Sequence, residues 1–301
     1  MADASGRLVE LEDGVSINIV EVGSGHPLIL LHGGPGLDHH ELHPWLDPLS
    51  GAGFRLIYVD MRGQGASERV DPSSLTIQVF ARDVDRLARA LDLEQFSLYG
   101  HSFGAIVALS HALERGTASH YVISSGAASS EALMSDVEHE IARFEPAAMR
   151  EQIKRSWDAE PNAKTVADVR EIMESQMPFH FWEMGDAYRA FTEKDETVYS
   201  PKVLAHFASQ GYGGFEWVDH LRWISKPMLV ITGRYDRTCT VARSEEIHDE
   251  VAGSQLVIIE KAAHMTHVEQ PKAVMDAIRV WFTEQGVIGQ EPEAAAPVSD
   301  S

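Results

Sequence analysis

Residues 96–109 read Phe96-Ser97-Leu98-Tyr99-Gly100-His101-Ser102-Phe103-Gly104-Ala105-Ile106-Val107-Ala108-Leu109. Apolar residues lead into Gly-x-Ser-x-Gly and small apolar residues follow, so the stretch predicts a short strand, a sharp turn and a helix, the pattern of a nucleophile elbow. A serine at such a turn sits in a strained backbone conformation, and glycines two residues to either side let strand and helix pass without Cβ clashes. Ser102 is then expected to point out of a sheet edge into a cleft. Three fixed letters in five also occur in ordinary strand-to-helix turns. The reading therefore depends on whether the rest of the chain supplies a base, an orienting acid and donors for an oxyanion.

The chain has 301 residues, 44% of them hydrophobic, enough to bury a large core. Its formal charge of −21 repels nucleic acid and anionic lipid, so neither is expected as a partner. The single cysteine, Cys239, rules out an intrachain disulfide and fits a reducing compartment. Met1 to Arg7 carry no apolar run behind a basic start, and no apolar run is long enough to span a bilayer. The expectation is a cytoplasmic protein with no membrane segment; nothing in the sequence specifies an oligomeric state.

Working back from the elbow, Arg7 to Glu12 and Ser16 to Glu21 alternate around Asp13-Gly14 and predict an antiparallel hairpin. Pro27-Leu28-Ile29-Leu30-Leu31 is apolar on both faces, a buried central strand, and runs into His32-Gly33-Gly34-Pro35-Gly36. A loop so rich in glycine can bring its backbone N–H groups close to a ligand. The neighbouring Asp38-His39-His40-Glu41-Leu42-His43 invites a metal reading. A His-Glu-x-x-His pattern would need histidine where Pro44 stands, and no further ligand set is suggested, so no metal is expected and a polar helix start is. Phe54 to Val59 is the next strand. Asp60 and Arg62 behind it read as residues that fix a glycine-rich turn. Thr76 to Leu91 is an amphipathic helix with Ile77, Phe80, Val84, Leu87, Ala88 and Leu91 inward and Arg82, Asp83, Asp85, Arg86 and Arg89 outward.

Beyond the elbow and a strand at Tyr121-Val122-Ile123, the rhythm of strand and helix breaks. Residues 129–225 hold helical patterns, many aromatics and no clean buried strand, and read as an α-helical cap inserted in a core of residues 1–128 and 226–286. Strands resume at Met228 to Thr232 and Leu256 to Ile259, with helices at 241–250 and 271–284. Residues 287–301 have the composition of a disordered tail. Repetition of strand, loop and helix implies a mostly parallel sheet with helices on both faces.

The order Ser102, Asp236, His264 follows, each at the carboxyl end of a strand, where such sheets place their sites. These residues, with His32-Gly33-Gly34-Pro35-Gly36, Asp60-x-Arg62-Gly63-x-Gly65-x-Ser67, Gly233-Arg234-Tyr235-Asp236 and the spacing of His264 to Glu269 and Pro271, resemble the proline iminopeptidase branch of the α/β-hydrolases. The resemblance covers about residues 8–130 and 226–284. It implies an eight-stranded, mostly parallel sheet, a serine hydrolase without cofactor, Ser102 as nucleophile, His264 as base and Asp236 as its orienting carboxylate. It further implies an oxyanion hole from the N–H groups of Phe103 and Gly34, with Gly33 as the alternative to Gly34. His267 competes with His264 as base; His32 and His101 read as loop-fixing, with His101 also close enough to the nucleophile to touch substrate.

The resemblance implies release of an N-terminal residue, proline foremost, from short peptides. In that family lid glutamates bind the substrate amine, one in a segment whose nearest match here, Pro178-Phe179-His180-Phe181-Trp182, has proline at the glutamate position. Trp182, Glu183 and Glu216 are the substrate-binding candidates that remain, with Glu174 beside them. The alternative function is a carboxylesterase or lactonase on small acyl substrates, and a non-catalytic ligand-binding protein on the same fold is a third reading.

Overall fold

The computed structural model describes residues 6–114 and 116–289. Its strands are β1 (Arg7–Glu10), β2 (Ser16–Gly23), β3 (His26–Leu31), β4 (Phe54–Val59), β5 (Ser97–His101), β6 (Tyr121–Ser124), β7 (Met228–Gly233) and β8 (Gln255–Ile259). They form one sheet in the order β1-β2-β4-β3-β5-β6-β7-β8. β1 and β2 make the expected hairpin, β2 pairs antiparallel with β4, and every later pairing is parallel.

Alternation along the buried strands divides the core in two. Ile29, Leu31, Ile57 and Val59 face a cluster that takes in Phe80, Leu87, Ile106 and Ile247, while Leu28, Leu30, Leu56 and Tyr58 face one built with Val274, Ile278, Trp281 and Phe282. The first face is covered by helices α1 (Ile77–Ala90), α2 (Phe103–Glu114) and, past the long inter-strand segment, a helix over Val241–Glu250; the second by the helix over Pro271–Glu284. Thr76 caps α1 by accepting the Val79 N–H. The apolar stripe of α1 is buried as expected, but Asp83 and Asp85 are buried too, against the sequence reading. Asp83 takes both Arg62 Nε and Nη2 at 2.6 Å, and Asp85 takes His111 Nε2 at 2.9 Å. Partners from other elements replace the water that a helix surface would have offered.

Between β6 and β7 lie α3 (Ser130–Arg143), α4 (Arg150–Ala159), α5 (Val166–His180), α6 (Asp186–Thr192) and α7 (Pro201–Ala208), with one isolated bridge, Ser129 to Glu216. Small apolar clusters hold these helices, Val137, Ile141, Phe144, Ile153 and Phe179 in one and Val169, Ile172, Tyr199 and Leu204 in another, while Val203 and Phe207 of α7 join the first core cluster. After them come α8 (Val241–Glu250), α9 (Thr266–Glu269) and α10 (Pro271–Glu284). Residues 287 and 288, expected in a disordered tail, are instead held by the core: Ile288 packs into the second core cluster and Val287 N–H reaches Phe282 C=O at 3.0 Å. Residues 290–301 lie outside the described residues. Among the described residues no helix is long and apolar enough to cross a membrane.

Candidate active site

β5 ends at His101, α2 begins at Phe103, and Ser102 between them has φ +52°, in the left-handed region that a non-glycine residue adopts only when its surroundings impose it. Those surroundings are backbone. Ser102 N–H donates to Ser124 C=O at 2.9 Å, and Ser102 C=O accepts from Ala105 and Ile106 in the first turn of α2. The glycines are required by close approach: a Cβ on Gly100 would strike the Gly104 carbonyl, and one on Gly104 would strike the carbonyl of Leu31 at the end of β3. The sequence thus folds into the sharp turn because only glycine lets three backbones meet there.

Asp236 follows β7 and His264 follows β8. His264 Nδ1 lies 2.9 Å from Asp236 Oδ2 and 3.1 Å from Oδ1, and Asp236 Oδ1 also accepts the N–H groups of Thr238 and Cys239, each at 2.9 Å. The carboxylate is therefore held from two sides, and the imidazole is fixed with Nδ1 as donor. Burial opposes protonation of His264, but the facing Asp236 carboxylate overrides it and raises the pKa above the ordinary histidine value. His267, the competing base, is buried behind the site; burial pushes it down to about 4, and its Nε2 lies 3.0 Å from Glu41 C=O. His101 packs its ring 4.9 Å from that of His264 and stays neutral through burial. His32 holds its own loop, with Nδ1 2.8 Å from Gly33 C=O and Nε2 accepting from Met61 N–H.

Ser102, Phe103, Gly34 and His264 line a cavity of about 510 Å³. Gly34 has φ +73°, and its N–H makes no hydrogen bond among the described residues. Phe103, as the first residue of α2, has no intrahelical acceptor for its N–H. Gly33, the alternative donor, is engaged: its N–H goes to the Glu41 carboxylate.

Two buried carboxylates to which the sequence reading gave no substrate role face this cavity, Glu41 from the loop wall and Glu160 from the helical wall. Burial pushes each up to about 7, against the Gly33 N–H at Glu41 and against Tyr212 and Gln176 at Glu160. His180 also lines the cavity; its Nδ1 lies 2.9 Å from Thr238 Oγ1, and its carbonyl accepts from His264 N–H at 3.0 Å. Glu269 ties the two walls together by accepting from Ala263 N–H at 2.7 Å and Trp182 N–H at 2.6 Å. Arg237 adds two donations, to Phe179 C=O and Phe181 C=O.

A family model described as the alpha/beta hydrolase fold matches residues 26–271. The chain belongs to the alpha/beta hydrolase fold family. It is 27% identical over 271 residues to the proline iminopeptidase of Lactobacillus acidophilus, covering 85% of this chain and 89% of that protein. Two solved structures share its fold to the same degree. The proline iminopeptidase of Mycobacterium smegmatis matches with a TM-score of 0.71 at 19% identity, over 93% of this chain and 98% of that one. The esterase of Exiguobacterium antarcticum matches with a TM-score of 0.71 at 18% identity, over 93% and 100%.

The lid candidates of this hydrolase sit away from the cavity. None of Trp182, Glu183 and Glu216 lines the cavity. Trp182 stacks on Tyr235, with ring centroids 5.8 Å apart; Glu183 is exposed; and Glu216 accepts from Ser130 Oγ and Glu131 N–H, capping α3. A cap interaction and a surface stack absorbed side chains that an acidic, aromatic composition had offered as ligand contacts. Glu174 does line the cavity, at its exposed rim.

Asp38, His39 and His40 each bring one ligand atom within 4.8 Å of the others. Both Asp38 oxygens and the Nδ1 of each histidine are already in use. Asp38 accepts from His40 N–H and from Val198 N–H, and His39 Nδ1 lies 2.7 Å from Asp60. Asp60 also takes Asn18, Ala66 N–H and His39 N–H; burial would raise its pKa, and these donors instead hold it at about 2. The cluster fastens the loop wall to the chain around residue 198. Cys239 lines the cavity as a buried thiol whose pKa is pushed well up by burial.

Proposed function

We propose that the protein is a serine hydrolase working through an acyl-enzyme, with α-aminoacyl peptides as its substrate class and an N-terminal residue, proline foremost, as the acyl group released. The observation that carries the mechanism is His264, paired with Asp236, on the same cavity as a serine held at positive φ. Ser102 Oγ attacks the substrate carbonyl while His264 Nε2 takes its proton. Asp236, accepting from Nδ1–H, stabilises the imidazolium that forms. The oxyanion is received by the N–H groups of Gly34 and Phe103; losing one such donor typically costs ~2.7–4 kcal/mol of barrier. His264 then protonates the leaving amine, the acyl-enzyme forms, and the same base delivers water to it. Gly33 has no part in this hole because Glu41 holds its N–H.

The aminoacyl reading draws on the relative named proline iminopeptidase and on the acidic lining of the cavity. The helices of residues 129–225 act as its cap. A carboxylesterase or lactonase is the second reading. It is favoured by the apolar side chains of Ile106, Leu133, Met173, Met177 and Phe191 on the cavity wall and by Pro178 at the position where the family's lid glutamate is expected. Turnover of L-proline p-nitroanilide and of p-nitrophenyl butyrate by the protein and by Ser102→Ala separates the readings. We expect the anilide to be cleaved and both activities to vanish in the variant. Cleavage of the ester alone would favour the second reading, and undiminished turnover by Ser102→Ala would remove the serine mechanism.

A further inference from the structure

Glu41 and Glu160 are both buried, yet they differ in what their oxygens do. Glu160 has both occupied, Oε1 by Gln176 Nε2 at 2.6 Å and Oε2 by Tyr212 Oη. Glu41 uses only Oε2, for the Gly33 N–H; among the described residues nothing donates to Oε1, and the residue lines the cavity at 7% exposure. Its backbone is fixed as well, because its carbonyl lies 3.0 Å from the buried His267 ring nitrogen. The position a Cβ on Gly33 would take is 2.7 Å from Glu41 Oε1 and 3.0 Å from Ser102 Cβ, so the carboxylate and the nucleophile's side chain flank one point.

Apart from the attraction of the His264 ring when it is protonated, Glu41 has one neutral donor and an open oxygen to offset its lost hydration, and an arriving cation adds the missing partner. An uncharged acyl group brings no such partner, and its developing oxyanion would face an acidic neighbour. An α-aminoacyl group carries its ammonium on the carbon next to the attacked carbonyl, so the cation comes within reach of whatever lies beside the nucleophile. We propose that Glu41 is the anion that receives the substrate's α-ammonium, a secondary ammonium when the residue is proline. Specificity for the amine then resides in the loop wall after β3, not in α5. This assignment rests on the aminoacyl reading above and adds to it the residue responsible.

The test compares L-prolyl p-nitroanilide with cyclopentanecarbonyl p-nitroanilide, the same ring without the amine, in the protein and in Glu41→Gln, whose amide oxygen still accepts from Gly33. The ratio of the two kcat/KM values is expected to fall at least about tenfold in the variant, the scale of a lost buried charge pair. A preference for the prolyl compound that survives Glu41→Gln overturns the Glu41 assignment alone. Equal turnover of the two compounds by the unmodified protein overturns the aminoacyl reading and the assignment with it. A second measurement needs no variant: competitive inhibition of ester cleavage by L-prolinamide should be at least about tenfold tighter than by cyclopentanecarboxamide, and equal inhibition contradicts the proposal.

Discussion

The two walls of the cavity are built on different principles. The loop wall consists of turns that follow β3, β5, β7 and β8, and each functional group on it is fixed by backbone: Ser102 by Ser124 C=O, Asp236 by two N–H groups, Glu41 by Gly33 N–H and the His267 contact. The helical wall has small clusters of its own, enters the first core cluster through Val203 and Phe207 of α7, and meets the loop wall at polar struts, among them Glu269, Arg237 and Asp38. On the proposed mechanism the chemistry belongs to the wall that the sheet dictates, and the volume and shape of the cavity to the wall built largely from helices. The fold is shared with a proline iminopeptidase and with an esterase, so the fold alone does not choose between those activities.

The strongest way to break this contrast is Asp236→Asn. If the loop wall sets the chemistry, kcat should fall by about 10⁴ for ester and anilide alike with KM little changed, because the imidazole loses the partner that fixes its tautomer. Unequal losses for the two substrates, measured by steady-state kinetics, would mean that the walls share the chemistry.

A smaller effect sharpens the account of the helical wall. Glu160 has a folded pKa of about 7 against an ordinary 4.5, so the folded chain keeps a proton that the unfolded chain releases between those values. The folded state binds more protons over that interval, so its stability falls as pH rises from 4.5 to 7; the ceiling is ~3 kcal/mol. Glu160→Gln cannot titrate. Its stability relative to the unmodified protein should therefore increase from pH 5 to pH 8, measured by denaturant unfolding at each pH. A difference that does not change with pH contradicts a buried, titrating Glu160.

The same contrast explains what the sequence made legible. Ser102, Asp236 and His264 could be singled out because their signals are local: a glycine-flanked turn and two residues past the last two strands. The strand and helix limits on the sheet side followed from alternation and amphipathicity almost residue by residue, as at Phe54–Val59 and Pro271–Glu284. Glu41 and Glu160 could not be read, because burial of a carboxylate is decided by distant partners. His267 lies 226 residues from Glu41, and Tyr212 lies 52 residues from Glu160. Asp83 and Asp85, expected on a solvent face, are buried for the same reason, and Trp182, Glu183 and Glu216 lie off the cavity because residue type does not say which way a side chain on a helical insertion turns. The Asp38-His39-His40 cluster illustrates the reverse case, where ligand-like residues are spent on loop hydrogen bonds.

The central claim is that Ser102 is the nucleophile. Treating the protein with a fluorophosphonate and locating the adduct by peptide mass spectrometry tests it directly. The account predicts a single covalent adduct on Ser102, formed in step with the loss of hydrolysis, and none on Ser102→Ala. Inactivation with the adduct elsewhere, or equal labelling of Ser102→Ala, would contradict it.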